Sequence, residues 1–421
     1  MKQLLLSSWL LISGQLLLAQ DVGYVKEIID SLCAPRYHGR GYVEEGDVKA
    51  ANFLKRQCQT LGLTPINGEY LQGFELGVNT FPGAMELSIN GEQLETGEDY
   101  IIEPRSLGQE GSFKAFNLKK RHCKSKEKLF KLAQKEKVNN AVVVLDAQEE
   151  DIAYQSFIAR IYENPLNAKA YIVKTDKKLT WSVGRSMLGT TVFQVEADRL
   201  KKKVKRVELD VDQVWKSNHR SFNVMAQIPG KKNRTIIYTA HYDHLGRMGA
   251  DTYIPGASDN ASGTAMLLDL ARNYKDNPPE YNVVFLWFGG EEAGLVGSKY
   301  FVDHSPIELQ DIDFLINLDL MADAGTGITA VNGKIFTDAF ERLVQLNEEV
   351  GQLSKVNPRG SAANSDHYPF YEKGVPSFFI YTMGEYKHYH DIHDRPENIT
   401  MTNYEQVFEL IMTFADAMAR E

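Results

Sequence analysis

From residue 216 onward the chain alternates between two kinds of segment. Near-continuous apolar runs, "TIIYTA" at 235–240, "NVVFLWF" at 282–288, "DFLINLDLM" at 313–321 and "PSFFIYT" at 376–382, are separated by stretches with helical spacing, "SGTAMLLDLARNYK" at 262–275 and "TDAFERLVQLNEEVG" at 337–351. Strands that are apolar on both faces need cover on both faces, so the pattern predicts an α/β unit with a mixed, mostly parallel sheet flanked by helices. Two further helices are predicted near the start, "VKEIIDSL" and "GDVKAANFLKRQCQTLG"; in the second, Val48, Ala51, Leu54, Cys58 and Leu61 form one stripe that Gly62 closes. Between about Phe81 and Asp212 the character shifts to short strands, "AMELSING", "AVVVLD", "AYIVKT", "TTVFQVE" and "RVELDVD", joined by charged connections. The expected organisation is a leader at 1–19, an N-terminal part of the main unit at 20–80, a smaller β-rich inserted domain at 81–215, and the remainder of the main unit at 216–421.

The leader follows from "MKQLLLSSWLLISGQLLLAQDVGY": one lysine, an apolar stretch from Leu4 to Leu18, and the small Ala19 before polar sequence. Its Ser, Gly and Gln interruptions leave too little continuous apolar length for a membrane span, so a cleaved signal peptide and a secreted or periplasmic protein are expected, with no stable membrane span after cleavage. Forty-seven basic residues against fifty-six acidic ones give a net charge of -9, which argues against a nucleic-acid partner. The sequence carries no signal for an oligomeric state. Of the three cysteines, Cys33 and Cys58 fit either a bridge or buried free thiols, and with no C-x-x-C pair a thiolate metal site is not expected.

In sheets of this kind a site forms beyond the carboxyl ends of the strands. There the chain places His241 and Asp243 after "TIIYTA", Glu291 and Glu292 after "NVVFLWFGG", Asp319 in "INLD", Asp259 on the Gly-rich turn "GASDNASG", and His390 in "KHYHDIHD". Taken singly, Asp259 also fits a helix cap, His241 a hydrogen-bonded core histidine, and the glutamate pair a solvated first helical turn. A carboxylate inside the apolar "INLDLM" needs a partner, and a metal is the simplest one. Two histidines and three carboxylates suit zinc, with neighbouring divalent ions as competitors, and suffice for two ions sharing one carboxylate. Asp243, two residues beyond His241, shares its face in extended chain and is placed to accept a hydrogen bond from the imidazole. Neighbouring side chains diverge, so one of Glu291 and Glu292 can be a ligand and the other a general base.

The segments "AHYDH", "SDNASG", "GGEEAGLVGS", "NLDLM", "SDHYPF...GVP" and "YHDIHD" resemble, in order and spacing, the co-catalytic zinc aminopeptidases of peptidase family M28. The likeness is strong over about 216–421. Around "YHGRG" it is weaker, and 81–215 stands where many members carry a protease-associated insert. The resemblance implies the zinc exopeptidase fold and two zinc ions per chain. It makes Asp259 the bridging ligand, His241 and Asp319 the other ligands of one ion, Glu292 and His390 those of the second, Glu291 the general base acting on metal-activated water, and Tyr389 a hydroxyl that stabilises the tetrahedral intermediate. It further implies a peptide substrate and an exopeptidase, an aminopeptidase in the first place. Carboxypeptidase or dipeptidase, glutaminyl cyclase, and a non-catalytic peptide-binding receptor are the competing readings.

Overall fold

The computed structural model describes residues 22–419, and the leader expected at 1–19 lies outside them. The main unit is built on an eight-stranded sheet in the order Leu71–Thr80, Val214–Ile228, Asn282–Phe288, Thr235–His241, Ile312–Asp319, Ser377–Met383, Gly327–Val331 and Val356–Pro358. The strands beginning at Asn282, Thr235, Ile312 and Ser377 run parallel to one another, and antiparallel pairings flank them on both sides. Each of the first three is buried along nearly its whole length, as expected for a sheet covered on both faces.

One face is covered by the helices Val22–Cys33, Gly263–Asp276 and Tyr404–Met418, whose apolar sides join Val224, Tyr238, Phe285, Trp287 and Ile316 in one core. The other receives Phe301 and Phe370, from the short helices Val296–Asp303 and His367–Glu372, against Ile237, Leu286 and Leu315. The second predicted helix, Gly46–Thr60, buries Ala50, Ala51, Leu54 and Cys58, while Val48 and Leu61 lie at the margin of that stripe. Cys33, Cys58 and Cys123 are all buried and free, which settles the open cysteine question for free thiols.

The chain leaves the main sheet at Thr80 and returns at Val214, two residues that pair with each other. The segment between them forms a second eight-stranded sheet, in the order Glu92–Gln93, Met85–Ile89, Arg206–Val211, Gln109–Asn117, Ala141–Asp146, Ala170–Thr175, Thr191–Glu196 and Tyr100–Ile102. Its core of Leu87, Tyr100, Ile172, Phe193, Val207 and Leu209 also takes in Leu245, Met248 and Ile254 from the main unit. The two sheets therefore share apolar surface. Among the described residues no helix is long and apolar enough to cross a membrane.

Candidate metal centre

The carboxyl ends of the parallel strands converge on one cleft of about 190 Å³, lined by His241, Asp259, Glu291, Glu292, Asp319, Tyr389 and His390 together with Leu320, Arg359, Asn364, Phe379 and Tyr381. All the residues expected to bind metal or act on substrate line it, and Asp243 supports it from behind. A larger hollow of about 790 Å³ opens on the second sheet between Leu118–Arg121 and Asp146–Glu150, and none of the residues expected to bind metal or substrate lines it.

Asp259 is central. His241 Nε2 stands 3.3 Å from its Oδ1 and His390 Nε2 3.0 Å from its Oδ2, so its two oxygens face opposite sides of the cleft. On one side His241 Nε2 is also 3.4 Å from Asp319 Oδ1; on the other, His390 Nε2 is 3.3 Å from Glu292 Oε1. His244, which sequence reasoning did not single out, places Nδ1 2.8 Å from Glu292 Oε1 and 3.9 Å from Asp259 Oδ1. Ligand atoms of His241, Asp259 and Asp319 lie within 4.8 Å of one another, as do those of His244, Asp259 and Glu292. Asp259 caps no helix: the helix Gly263–Asp276 starts after Ser262 and has no side-chain cap.

The local chain is held by groups of opposite character. Asp394 accepts from the backbone N–H groups of Ser258 at 2.7 Å and Asp259 at 3.0 Å. From the other side the fully buried Arg40, in "YHGRG", donates to the carbonyls of Tyr242, Pro255, Gly256 and Asp259 at 2.7, 2.5, 2.7 and 3.3 Å. Neither residue was legible as part of the site, because each acts on backbone atoms far away in sequence.

Asp243 differs from expectation in which atom it uses. His241 Nδ1 faces its backbone oxygen at 3.1 Å, whereas its carboxylate is 3.8 Å away and accepts instead from Glu291 N at 3.0 Å, Glu292 N at 3.3 Å and the Tyr42 hydroxyl at 3.2 Å. After His241 the chain leaves the strand, so the face sharing of extended chain no longer applies. Asp243 thus fixes the glutamate turn.

The charges are strongly coupled. Burial disfavours the imidazolium of His390, yet Glu292 and Asp259 outweigh it and push that group up to about 11. His241 is likewise raised against its burial by Asp319 and Glu291. The histidines in turn hold Glu292 down to about 2 and Asp259 well below the carboxylate range, again against burial. Glu291 behaves oppositely: burial, reinforced by Glu292, Asp366 and Asp319 against the lowering influence of His241, raises its carboxyl well above the usual range. Two adjacent glutamates are driven apart by their surroundings, the pattern that separates a permanently ionised group from one that exchanges protons.

Residues 223–415 match the sequence profile of Peptidase family M28. Aminopeptidase YwaD of Bacillus subtilis is 29% identical over 262 residues, 58% of this chain and 56% of that protein. A probable leucine aminopeptidase of Arthroderma otae is 27% identical over 38% of this chain and 46% of its own length. These matches span about half the length of the curated relatives. The structure of BSAP, a zinc aminopeptidase from Bacillus subtilis, superposes with a TM-score of 0.69 at 21% identity, covering 94% of both chains, and a Peptidase M28 precursor from Shewanella amazonensis does so with 0.69 at 18% identity over 95% of this chain and 94% of its own. At those identities the likeness speaks for the fold. Taken with the cleft, the profile match leads to one conclusion: through residues 223–415 the chain is similar to peptidase family M28.

Proposed function

We propose that the protein is an exported zinc-dependent exopeptidase, an aminopeptidase that releases N-terminal residues from peptides, with residues 81–215 as a protease-associated-like insert. The observation that carries this reading is the opposed environment of Glu291 and Glu292 beside a carboxylate whose two oxygens face two histidine-containing clusters. The donor set fits zinc, being imidazole nitrogen and carboxylate oxygen throughout, and Asp319 Oδ1 is buried without a hydrogen-bond partner. His241, Asp259 and Asp319 would hold one ion, and Asp259, Glu292 and His390 the second. When bound, zinc supplies a Lewis acid for the scissile carbonyl and lowers the pKa of water toward ~7.

The chain's own residues do the rest. Glu291, fixed through its backbone N–H by Asp243, takes a proton from the attacking water and returns it to the leaving amine, a task suited to a carboxyl raised toward the working pH. Tyr389 stacks on His390 with ring centroids 3.8 Å apart and lines the cleft, where its hydroxyl would donate to the oxyanion. Leu320, Phe379 and Tyr381 offer apolar wall to a side chain. At about 190 Å³ the cleft is smaller than the ~300–1,000 Å³ typical of ligand pockets, which suits one terminal residue better than a length of chain.

One observation favours a second reading, carboxypeptidase or dipeptidase. Arg359 is the one lysine or arginine among the described residues lining the cleft, and its backbone is pinned to Ala330 while its guanidinium is exposed. Such a group suits a substrate carboxylate. A panel of aminoacyl-anilides, N-blocked peptides with a free carboxyl end, dipeptides and N-terminal glutaminyl peptides separates the readings. Turnover of the anilides is expected, turnover of N-blocked peptides alone would establish the carboxypeptidase, and none with zinc present would leave a peptide-binding protein.

A further inference from the structure

The loop 387–393, which carries Tyr389 and His390, is seated on the second sheet. Lys178 Nζ, just beyond the strand Ala170–Thr175, donates to Lys387 O at 2.6 Å and Tyr389 O at 2.8 Å, and pairs with Asp391 Oδ2 at 2.8 Å. All three ammonium protons are thereby used on one loop. Three residues on, Trp181 N donates to His390 O at 3.0 Å, and Trp181 O lies 3.0 Å from His390 Nδ1. Trp181 is itself anchored, its buried indole donating to Ile102 O at 2.8 Å in the edge strand Tyr100–Ile102. Farther along the same loop, Glu98 Oε1 meets His393 Nε2 at 3.1 Å, and Ile392 packs against the core of the second sheet.

This seat has a chemical consequence. A carbonyl facing Nδ1 requires the proton there, so the neutral imidazole keeps its lone pair on Nε2, the nitrogen directed at Asp259 and Glu292. His390 also has a left-handed backbone, with φ of 57°, a conformation that for a non-glycine residue persists where its surroundings impose it.

We infer that the second sheet is a working part of the metal centre: Lys178 and Trp181 are positioning residues that hold His390 for the second zinc and Tyr389 over the cleft. The inference rests on the two-zinc reading above. The first test uses the full chain and Lys178→Met, with Lys178→Arg as the conservative variant. In Lys178→Met one zinc should bind as in the wild type and the other roughly 10- to 100-fold more weakly in chelator competition, with kcat falling more than KM rises. Lys178→Arg should recover most of both. Wild-type affinity for two zinc ions in Lys178→Met would overturn the inference, and so would equal weakening of both ions in step with a lower melting temperature. Hydrogen exchange on metal-free protein separates this failure from that of the zinc reading. Exchange should rise in peptides spanning 386–394 of Lys178→Met, and unchanged exchange there overturns the inference whatever the metal content. Wild-type protein that takes up no zinc would instead remove the reading on which it rests.

Discussion

Glu291 and Glu292 are adjacent and chemically alike, and the fold gives them opposite electrostatic surroundings. Glu292 faces His390 and His244, which keep it ionised, while burial, reinforced by Glu292, Asp366 and Asp319 against the influence of His241, pushes Glu291 toward holding a proton. Conservative substitution should separate them. Glu291→Gln keeps shape and removes the proton acceptor, so metal content should stay near that of the wild type while turnover falls by roughly 10² to 10⁴. Glu292→Gln exchanges an anionic ligand for a neutral amide, so zinc should be lost and added zinc should restore part of the activity. Metal analysis and turnover on the same preparations decide, and the reverse pattern would exchange the two roles. That this pair stands out was legible in sequence, because like charges at the end of an apolar strand demand a reason. What Asp243 does was not, since the choice between its carboxylate and its carbonyl depends on how the chain turns after His241.

At the scale of elements, the apolar runs and amphipathic stretches disclosed the strands and helices because burial on two faces and on one face leave different periods in sequence. The supports of the site left no such trace. His244, Arg40, Asp394, Lys178 and Trp181 act through contacts that only the folded topology creates, Trp181 reaching His390 across 209 positions. Gly263 shows how tightly two elements meet here. It opens the helix Gly263–Asp276 against the end of the strand that carries Asp319, and a Cβ at this position would lie 2.4 Å from Asn260 Oδ1 and 2.6 Å from Leu318 O. Those two atoms are already joined through the Asn260 amide, which donates to Leu318 O at 3.0 Å and accepts from Gly263 N at 2.9 Å. Helix propensity alone would make Gly263→Ala stabilising by up to ~1 kcal/mol. The clash should win, with a net loss of about 1 to 3 kcal/mol and weaker zinc binding as the Asp259 and Asp319 segments move apart. Thermal unfolding and metal titration of Gly263→Ala check this, and a raised melting temperature would show that the contact yields.

For the whole molecule, the buried charges link stability, pH and metal. Without metal, His390 is raised to about 11 and His241 is also raised, so the stabilisation they give is complete below their unfolded value near ~6.5 and is lost as pH rises toward the folded one. Asp243 and Asp366, pushed up mainly by burial to about 7 and about 6, act in the same direction, because their unfolded forms ionise near ~3.9 and the folded protein resists doing so. Glu292 and Asp259 run the other way, but their stabilisation is already complete above the ordinary carboxylate range and is lost only in acid. The buried His367, held down to about 3, acts in the opposite sense only up to its unfolded value near ~6.5, so between about pH 7 and 9 the metal-free protein should lose stability as pH rises. Zinc needs the histidines neutral, so its binding expels protons and tightens with pH, by up to ~1.4 kcal/mol per pH unit for each proton released. Because a ligand of the native state stabilises in proportion to the logarithm of its concentration over Kd, the two trends separate the curves. The melting temperature with zinc minus that with chelator should thus be positive and widen steadily from pH 5.5 to 9. Calorimetry in buffers of different ionisation enthalpy should register the released protons directly. A gap that stayed constant or narrowed, or binding without proton release, would mean that these histidines are neutral before the metal arrives.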